Sequence, residues 1–333
     1  MNPRSITMTS QSTSIRRRHL LAAASAFGLM GSTPVLAQDN SLRLSVGFPP
    51  GGSGDLFARF LADALREELG RAVVVENRPG GGGMTVATTF LRAPKDGNHL
   101  MLATGSTAIS APISRAKAPY NPVDDFQWIA LMSNAPFVIA LHPSVPVRDL
   151  PGLVAYCKDN PGKLTYGHAG LGTTVHLAGE LFKDMAGIKI LDVPYAGSAP
   201  AINDTIAGTV QMNIETSATL LPHHKSGRLR IICTMAEARE KIAPEIPTAR
   251  EAGMDLIAGT CNLLAAPLGT APQLLEPIAR AVSRVMEKPA VVERLLQQGI
   301  QPISNSNPAQ ARAFVTSEVA RWSAVVKKLG IAL

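Results

Sequence analysis

Two glycine-rich turns are the residues best placed to do chemistry in this chain, and the chemistry they offer is the capture of an anion. The first, Pro49-Pro50-Gly51-Gly52-Ser53-Gly54-Asp55, follows the alternating apolar residues Leu42, Leu44, Val46 and Phe48 and opens an amphipathic helix. The second, Gly167-His168-Ala169-Gly170-Leu171-Gly172-Thr173-Thr174, opens another helix, with Thr173 or Thr174 as its cap. Glycine lets bare backbone approach a guest, and the first turn of a helix carries N–H groups without acceptors and the positive end of the dipole. A carboxylate or phosphate is the guest such a place takes. Two such mouths, far apart in sequence, predict two lobes that close on a small carboxylate.

Other chemistries fail on spacing. Neither glycine cluster is followed by the Lys-Ser or Lys-Thr of a nucleotide-phosphate loop. Gly52-Ser53-Gly54-Asp55 lacks the Gly-x-Ser-x-Gly of a nucleophile elbow. His223-His224 are adjacent, a spacing that reads as a solvated turn, and His168 and His176 have no cysteine or carboxylate pattern around them. A hydrolase or lyase needs a base, a nucleophile and a partner on one cleft, and the sequence points to none. The expectation is therefore no catalytic residue, no metal and no cofactor. Cys157, Cys233 and Cys261 lack metal-ligand spacing and read as small buried hydrophobes.

The elements that must hold the two turns alternate between strand and helix, which implies parallel sheet with ligand loops at the strands' carboxyl ends. The first helix should bury Leu56, Phe57, Phe60, Leu61, Ala64, Leu65 and Leu69, with Asp55 as N-cap. Ala72 to Glu76 and Leu100 to Ala103 read as strands, and Ala111 to Asp125 as a long connection over the surface. Trp128 to Leu141 is an apolar run near which the chain crosses into the second lobe. There the helix Thr174 to Met185 should turn Val175, Ala178, Leu181, Phe182 and Met185 inward, and Ser198-Ala199-Pro200 starts a helix. Asn262 to Pro267 carries the chain back, and Trp322 belongs to a core-facing stripe of the last helix.

At 333 residues and 46% apolar, the chain can bury two cores. Its formal charge of +7 misleads, because Arg4, Arg16, Arg17 and Arg18 precede position 38 with no acid among them. The remainder carries 28 basic against 25 acidic residues, a balance of +3 that excludes a nucleic-acid footprint. The basic Arg16-Arg17-Arg18, the apolar Leu20 to Met30 and the small residues around Ala37 make residues 1–37 a cleaved export signal, with a twin-arginine route permitted. That apolar run is shorter than the ~20 residues of a spanning helix. The mature protein is expected in the periplasm.

Taken together, Phe48-Pro49-Pro50-Gly51-Gly52 with Asp55 and Ala58-Arg59, Val75-Glu76-Asn77-Arg78-Pro79-Gly80, Pro94-Lys95-Asp96-Gly97, Asn160-Pro161-Gly162-Lys163-Leu164, Tyr166-Gly167 through Gly172-Thr173 to Glu180, and Val193-Pro194-Tyr195 with Pro200-Ala201 and Asp204 resemble the Bug, or TctC-like, family of solute receptors of tripartite tricarboxylate transporters. The likeness extends to Glu318-Val319-Ala320-Arg321-Trp322. It implies a two-lobed α/β periplasmic binding protein fold of the type II kind, two doubly wound domains joined by crossing strands. It also implies a carboxylate held by backbone amides, hydroxyls and waters rather than by an arginine. Carried over by position, the first turn is Phe48, Pro50, Gly51, Gly52 and Asp55, and the second is His168, Ala169, Gly172, Thr173 and Thr174. Tyr195, Ser198, Asp204 and Glu215 then line the cleft, and Ser106 and Thr107 close the first lobe's side. The family commonly has serine at the position of His168, aspartate near Glu215 and Gly-Tyr-Thr where Gly97-Asn98-His99 stands, so the specificity cannot be copied from a relative.

The expected organisation is lobe 1 from 40–140 and 262–333 and lobe 2 from 141–261, in a monomeric receptor that delivers a small organic carboxylate to membrane permease subunits. A sensor that presents its closed form to a kinase would read the same in sequence, since closure only shifts the population of a surface. A periplasmic enzyme acting on an organic acid is the remaining alternative.

Overall fold

The computed structural model describes residues 40–333; the export segment expected over residues 1–37 lies outside the described residues. In chain order the elements are β1 (Leu42–Val46), α1 (Ser53–Leu69), β2 (Val73–Asn77), α2 (Met84–Phe90), β3 (His99–Thr104), β4 (Phe126–Leu141), α3 (Leu150–Asp159), β5 (Thr165–His168), α4 (Thr174–Ala186), β6 (Leu191–Pro194), α5 (Ser198–Ile206), β7 (Met212–Thr216), α6 (Ser217–Lys225), β8 (Arg230–Thr234), β9 (Gly259–Pro267), α7 (Pro272–Glu287), α8 (Pro289–Leu296), β10 (Gln301–Pro302) and α9 (Pro308–Leu329).

The strands make one curled sheet in the order β2-β1-β3-β9-β4-β7-β5-β6, with β8 and β10 also on β4. At one end β2, β1 and β3 are parallel, at the other β6, β5 and β7 are parallel, and helices return the chain in each wing. Between the wings run antiparallel strands. The 16 residues of β4 pair with β9 from Phe126 to Pro136 and with β7 and β8 from Phe137 to Leu141, so one strand serves both wings. The fold is thus α/β, two doubly wound wings joined by crossing strands.

Burial explains which face each helix turns inward. In α1 Phe57, Leu61 and Leu65 pack on Leu42, Leu44 and Val46 of β1, with Ile278 and Val282 of α7 in the same cluster. Leu56 is 49% exposed and Phe60 and Leu69 are only half-buried, so the stripe is narrower than periodicity predicts. The deeper correction concerns α4. Its buried side includes His176, Leu177 and Gly179, while Met185, expected inside, is 40% exposed. A Cβ at Gly179 would lie 2.3 Å from the Tyr166 ring, so the helix is drawn onto β5 along its glycine and rotates accordingly. Trp322 of α9 is 2% exposed and belongs to the same buried cluster as Phe126, Trp128 and Phe137.

Three further expectations change. The start of the supposed surface connection is buried: Ala111–Ile113 forms one α-helical turn that continues the π-helical Ser106–Ser110 before it, and Ser114 has no exposure. His223 and His224 end α6 rather than forming a solvated turn, and the Nδ1 of His224 accepts from the Ile231 N–H at 3.2 Å. The N-cap of α1 is Gly52, and Asp55 lies within the first turn. The three cysteines are free and buried, and burial pushes the Cys157 thiol to about 11 and the Cys233 thiol to about 12.

Where the chain re-enters the first wing, Gly259 pairs with Pro136, and a Cβ there would stand 2.5 Å from the Ala135 carbonyl oxygen. Backbone cannot move aside as a side chain does. Gly259→Val is expected to destabilise the protein by about 2 kcal/mol, read as a lower melting midpoint; an unchanged midpoint would contradict this close crossing.

Candidate functional site

The first turn hangs from the end of β1 and is braced from below. The Asp55 carboxylate, 2% exposed, accepts from the Gly51 N–H at 3.0 Å, Asn77 Nδ2 at 2.8 Å and Arg59 Nε at 2.9 Å. Burial raises its pKa, but the Arg59, Gly51 and Asn77 hydrogen bonds outweigh that and hold the carboxyl below its ordinary value. The Gly51 amide is therefore spent on the turn itself. Gly51 has φ +89°, which only glycine adopts without strain.

What faces this turn is the start of α5. A Cβ at Gly52 would meet that of Ser198 at 3.8 Å, one at Gly51 would meet that of Ala199 at 3.6 Å, and one at Gly197 would lie 2.7 Å from the Pro49 ring. Gly197 is the N-cap of α5, with φ +151°. Two helix N-termini, those of α1 and α5, so converge from opposite wings.

The second turn is placed differently from the expectation of bare amides. Gly170 N–H donates to His168 Nδ1 at 3.2 Å, Gly172 N–H to His176 Nδ1 at 3.3 Å, Thr174 N–H to Ser106 Oγ at 3.1 Å, and His176 N–H to the capping Thr173 Oγ1 at 3.3 Å. A Cβ at Gly172 would point at Ser114 and Leu333, so that glycine serves its φ of +77° rather than a guest. The turn packs on the first wing: Ser106 Oγ and Thr174 Oγ1 are 3.0 Å apart.

A hollow of about 20 Å³ remains where these parts meet, lined by Phe48, Gly52, Ser53, Gly54, Thr104, Ser106, Phe137, Ala169, Thr174, Val175, Ser198, Glu215 and Thr260. Of the residues expected from the sequence it brings together Phe48, Gly52, Ser106, Ala169, Thr174, Ser198 and Glu215. It does not bring Pro50, Gly51, Asp55, Thr107, His168, Gly172, Thr173, Tyr195 or Asp204 to that lining. Tyr195 and Asp204 bond each other at 2.7 Å, and Thr107 lies beneath Gly83. Ser53, Gly54, Thr104, Phe137, Val175 and Thr260 were missed. Ser53 and Gly54 belong to the first turn and carried a signal; Phe137 and Thr260 come from the crossing strands and carried none.

Among the described residues no lysine, arginine or histidine lines the hollow, but one carboxylate does. Glu215, at the end of β7 and 2% exposed, accepts from Ser53 Oγ at 3.2 Å, from the Thr216 N–H at 2.9 Å and from Ser198 Oγ. Burial pushes its carboxyl up, and the two hydroxyls and the amide offset part of that. A larger open groove of about 570 Å³ behind the crossing strands shares Thr174 and Thr260 with the hollow.

Behind the second turn lies a cluster the sequence did not show. His168, 1% exposed, stacks on His176 with ring centroids 4.8 Å apart, and β6 brings Asp192 to 3.6 Å from His168 Nε2. Glu180 lies 3.8 Å from His176 Nε2, and Lys183 pairs with Glu180 and approaches Asp192 at 3.6 Å. Carboxylates do surround these histidines, supplied by the fold. Ligand atoms of His168, His176 and Asp192 come within 4.8 Å of one another, the spacing of a metal site. Each Nδ1, however, accepts a backbone N–H, which leaves the ring proton on Nε2, and the Lys183 ammonium is already the cation the carboxylates face. The cluster is a support for the second turn.

Burial, and then the neighbouring His176, push the His168 imidazole down to about 4. A histidine with a folded pKa below its unfolded value binds fewer protons folded than unfolded. Its contribution to stability is whole above pH 6.5 and is lost as pH falls toward 4. The melting midpoint is expected to drop between pH 7 and 5, and His168→Asn to flatten that limb. A variant that keeps the parent's full acid loss would contradict the assignment.

The described geometry agrees with comparisons to known proteins. Residues 57–331 match the model of the tripartite tricarboxylate transporter family receptor, TctC. The chain is 34% identical to protein BugT of Bordetella pertussis over 294 residues, 88% of this chain and 90% of that one. Its fold is similar to the solved periplasmic binding protein BugD, with TM-score 0.84, 30% identity and coverage of 88% of this chain and 98% of the other. A Rhodopseudomonas palustris protein solved with adipate gives TM-score 0.85 at 30% identity, covering 89% and 99%. Matched over residues 57–331 and similar over most of its length to these proteins, the chain belongs to the TctC family of solute-binding receptors.

Proposed function

We propose that this protein is a periplasmic receptor that captures a small organic carboxylate between its two wings and delivers it to the membrane subunits of a tripartite transporter. One observation carries the reading. The hydroxyl-lined hollow where the α1 and α5 N-termini meet already seats a carboxylate, that of Glu215, between donors from opposite wings. Helix N-termini and hydroxyls stabilise an anion without an opposing cation. The hollow is smaller than a ligand, so the wings part to admit one, and affinity resides in the closed form.

The moving bodies in this reading are residues 40–140 with 262–333 and residues 141–261, hinged where β4 passes Pro136 and β9 begins. The neighbouring groove, where Ile109, Met235, Phe314 and Trp322 stand beside the charged Arg239, Lys241, Glu318 and Arg321, has room for the body of the ligand. The receptor acts as a monomer after export through its amino-terminal signal, by the twin-arginine route if the adjacent arginines are read. The adipate complex of the R. palustris relative supports the ligand class.

Screening the purified protein by thermal shift against a panel of mono- and dicarboxylates, adipate included, tests the reading: at least one is expected to raise the melting midpoint. A Cβ at Gly197 would lie 2.7 Å from Pro49 of the other wing, so in this reading Gly197→Val opposes closure and should weaken that ligand by tenfold or more, about 1.4 kcal/mol. A panel without any stabilising acid would overturn the function, and a Gly197→Val variant with parental affinity would overturn the closure.

A further inference from the structure

The hollow poses an electrostatic problem for its own ligand. Glu215 is held at the strand end by its register opposite Val138, is 2% exposed, and takes the Ser53 and Ser198 hydroxyls that the two wings offer. A second carboxylate entering this space meets a like charge at short range in a place with little water, and the lining supplies no basic side chain to stand between them.

We propose that Glu215 selects ligands that bring their own cation, α-amino acids whose ammonium group pairs with the Glu215 carboxylate while their carboxylate is held at the helix N-termini. This inference rests on the carboxylate-receptor reading and narrows it. A zwitterion satisfies both halves of the hollow: its negative end replaces Glu215 at the amides and hydroxyls, and its positive end neutralises the charge that Glu215 keeps. Ammonium and carboxylate share one carbon in an α-amino acid, so both ends can reach Glu215 and the helix N-termini once the wings have parted to admit the ligand. Hydrogen bonds between charged partners are the strong ones, and leaving a buried polar site unmatched is what rejects a ligand without the group. A plain dicarboxylate would have to take up a proton or drive Glu215 out of its bonds with Ser53 and Ser198.

Matched pairs that differ only in the amino group test this: L-aspartate and succinate, L-glutamate and glutarate, L-phenylalanine and 3-phenylpropionate, titrated calorimetrically in two buffers of different ionisation enthalpy. The expected result is that an amino acid binds at least tenfold tighter than its deaminated twin, with no net proton uptake. Glu215→Gln should then remove most of that preference by weakening the amino acid rather than the plain acid. Equal or tighter binding of the deaminated acids by the parent protein would overturn the inference while leaving the receptor function standing, and buffer-dependent heats would then assign Glu215 to proton-linked binding. The parent protein alone decides this even if the variant fails to fold. Absence of binding by every acid, adipate included, would overturn the receptor reading and this inference with it.

Discussion

A buried carboxylate shared between two wings of one sheet is the constraint on which the site depends. Ser53 begins α1 in one wing, Ser198 begins α5 in the other, and both donate to Glu215 at the end of β7. Ser198 and Glu215 share one wing and Ser53 belongs to the other, so the Ser53 bond exists only when those wings are together. In the proposed receptor the same three residues couple ligand chemistry to closure. A carboxylate in this position is tolerable because two helix N-termini point at it, and costly because nothing cationic stands beside it.

The rest of the architecture keeps that meeting point rigid. Asp55 gathers Gly51, Arg59 and Asn77 into one network, so the first turn arrives with its backbone already ordered. The second turn is tied by its own histidines and threonine and by Ser106, whose π-helical segment sets the hydroxyl against Thr174. Ordering these turns beforehand lowers what binding must spend on conformational entropy. Below them, β4 runs unbroken through both wings, and β9 crosses it closely at Gly259.

Much of the fold was legible in the sequence because it is written in local terms. Alternating apolar residues at Leu42, Leu44 and Val46, the Gly51-Gly52 turn and the helical stripe after it each need only their neighbours to be recognised, and the ordered motifs from Phe48 to Trp322 carried the family. The site was legible in part. Phe48, Gly52, Ser106, Thr174, Ser198 and Glu215 do meet, but Gly172 turns toward Ser114 and Leu333, and the second turn's amides bond its own histidines. Which amides stay free depends on side-chain partners two to four residues away and, for Thr174, on Ser106 in another element, and spacing alone does not reveal whether a histidine ring will lie over them.

The sequence by itself determined the alternation of strands and helices, the two glycine turns at their mouths and the family, because backbone propensity, periodicity and ordered motifs act along the chain. Only the tertiary structure decided that the first turn faces Gly197 and Ser198 rather than Gly172, that Asp192 and Glu180 gather round His168 and His176, and that Phe137 and Thr260 complete the hollow. Those choices rest on how a curled sheet brings distant strand ends together and on Gly179 drawing α4 onto Tyr166, contacts between residues that share no stretch of sequence.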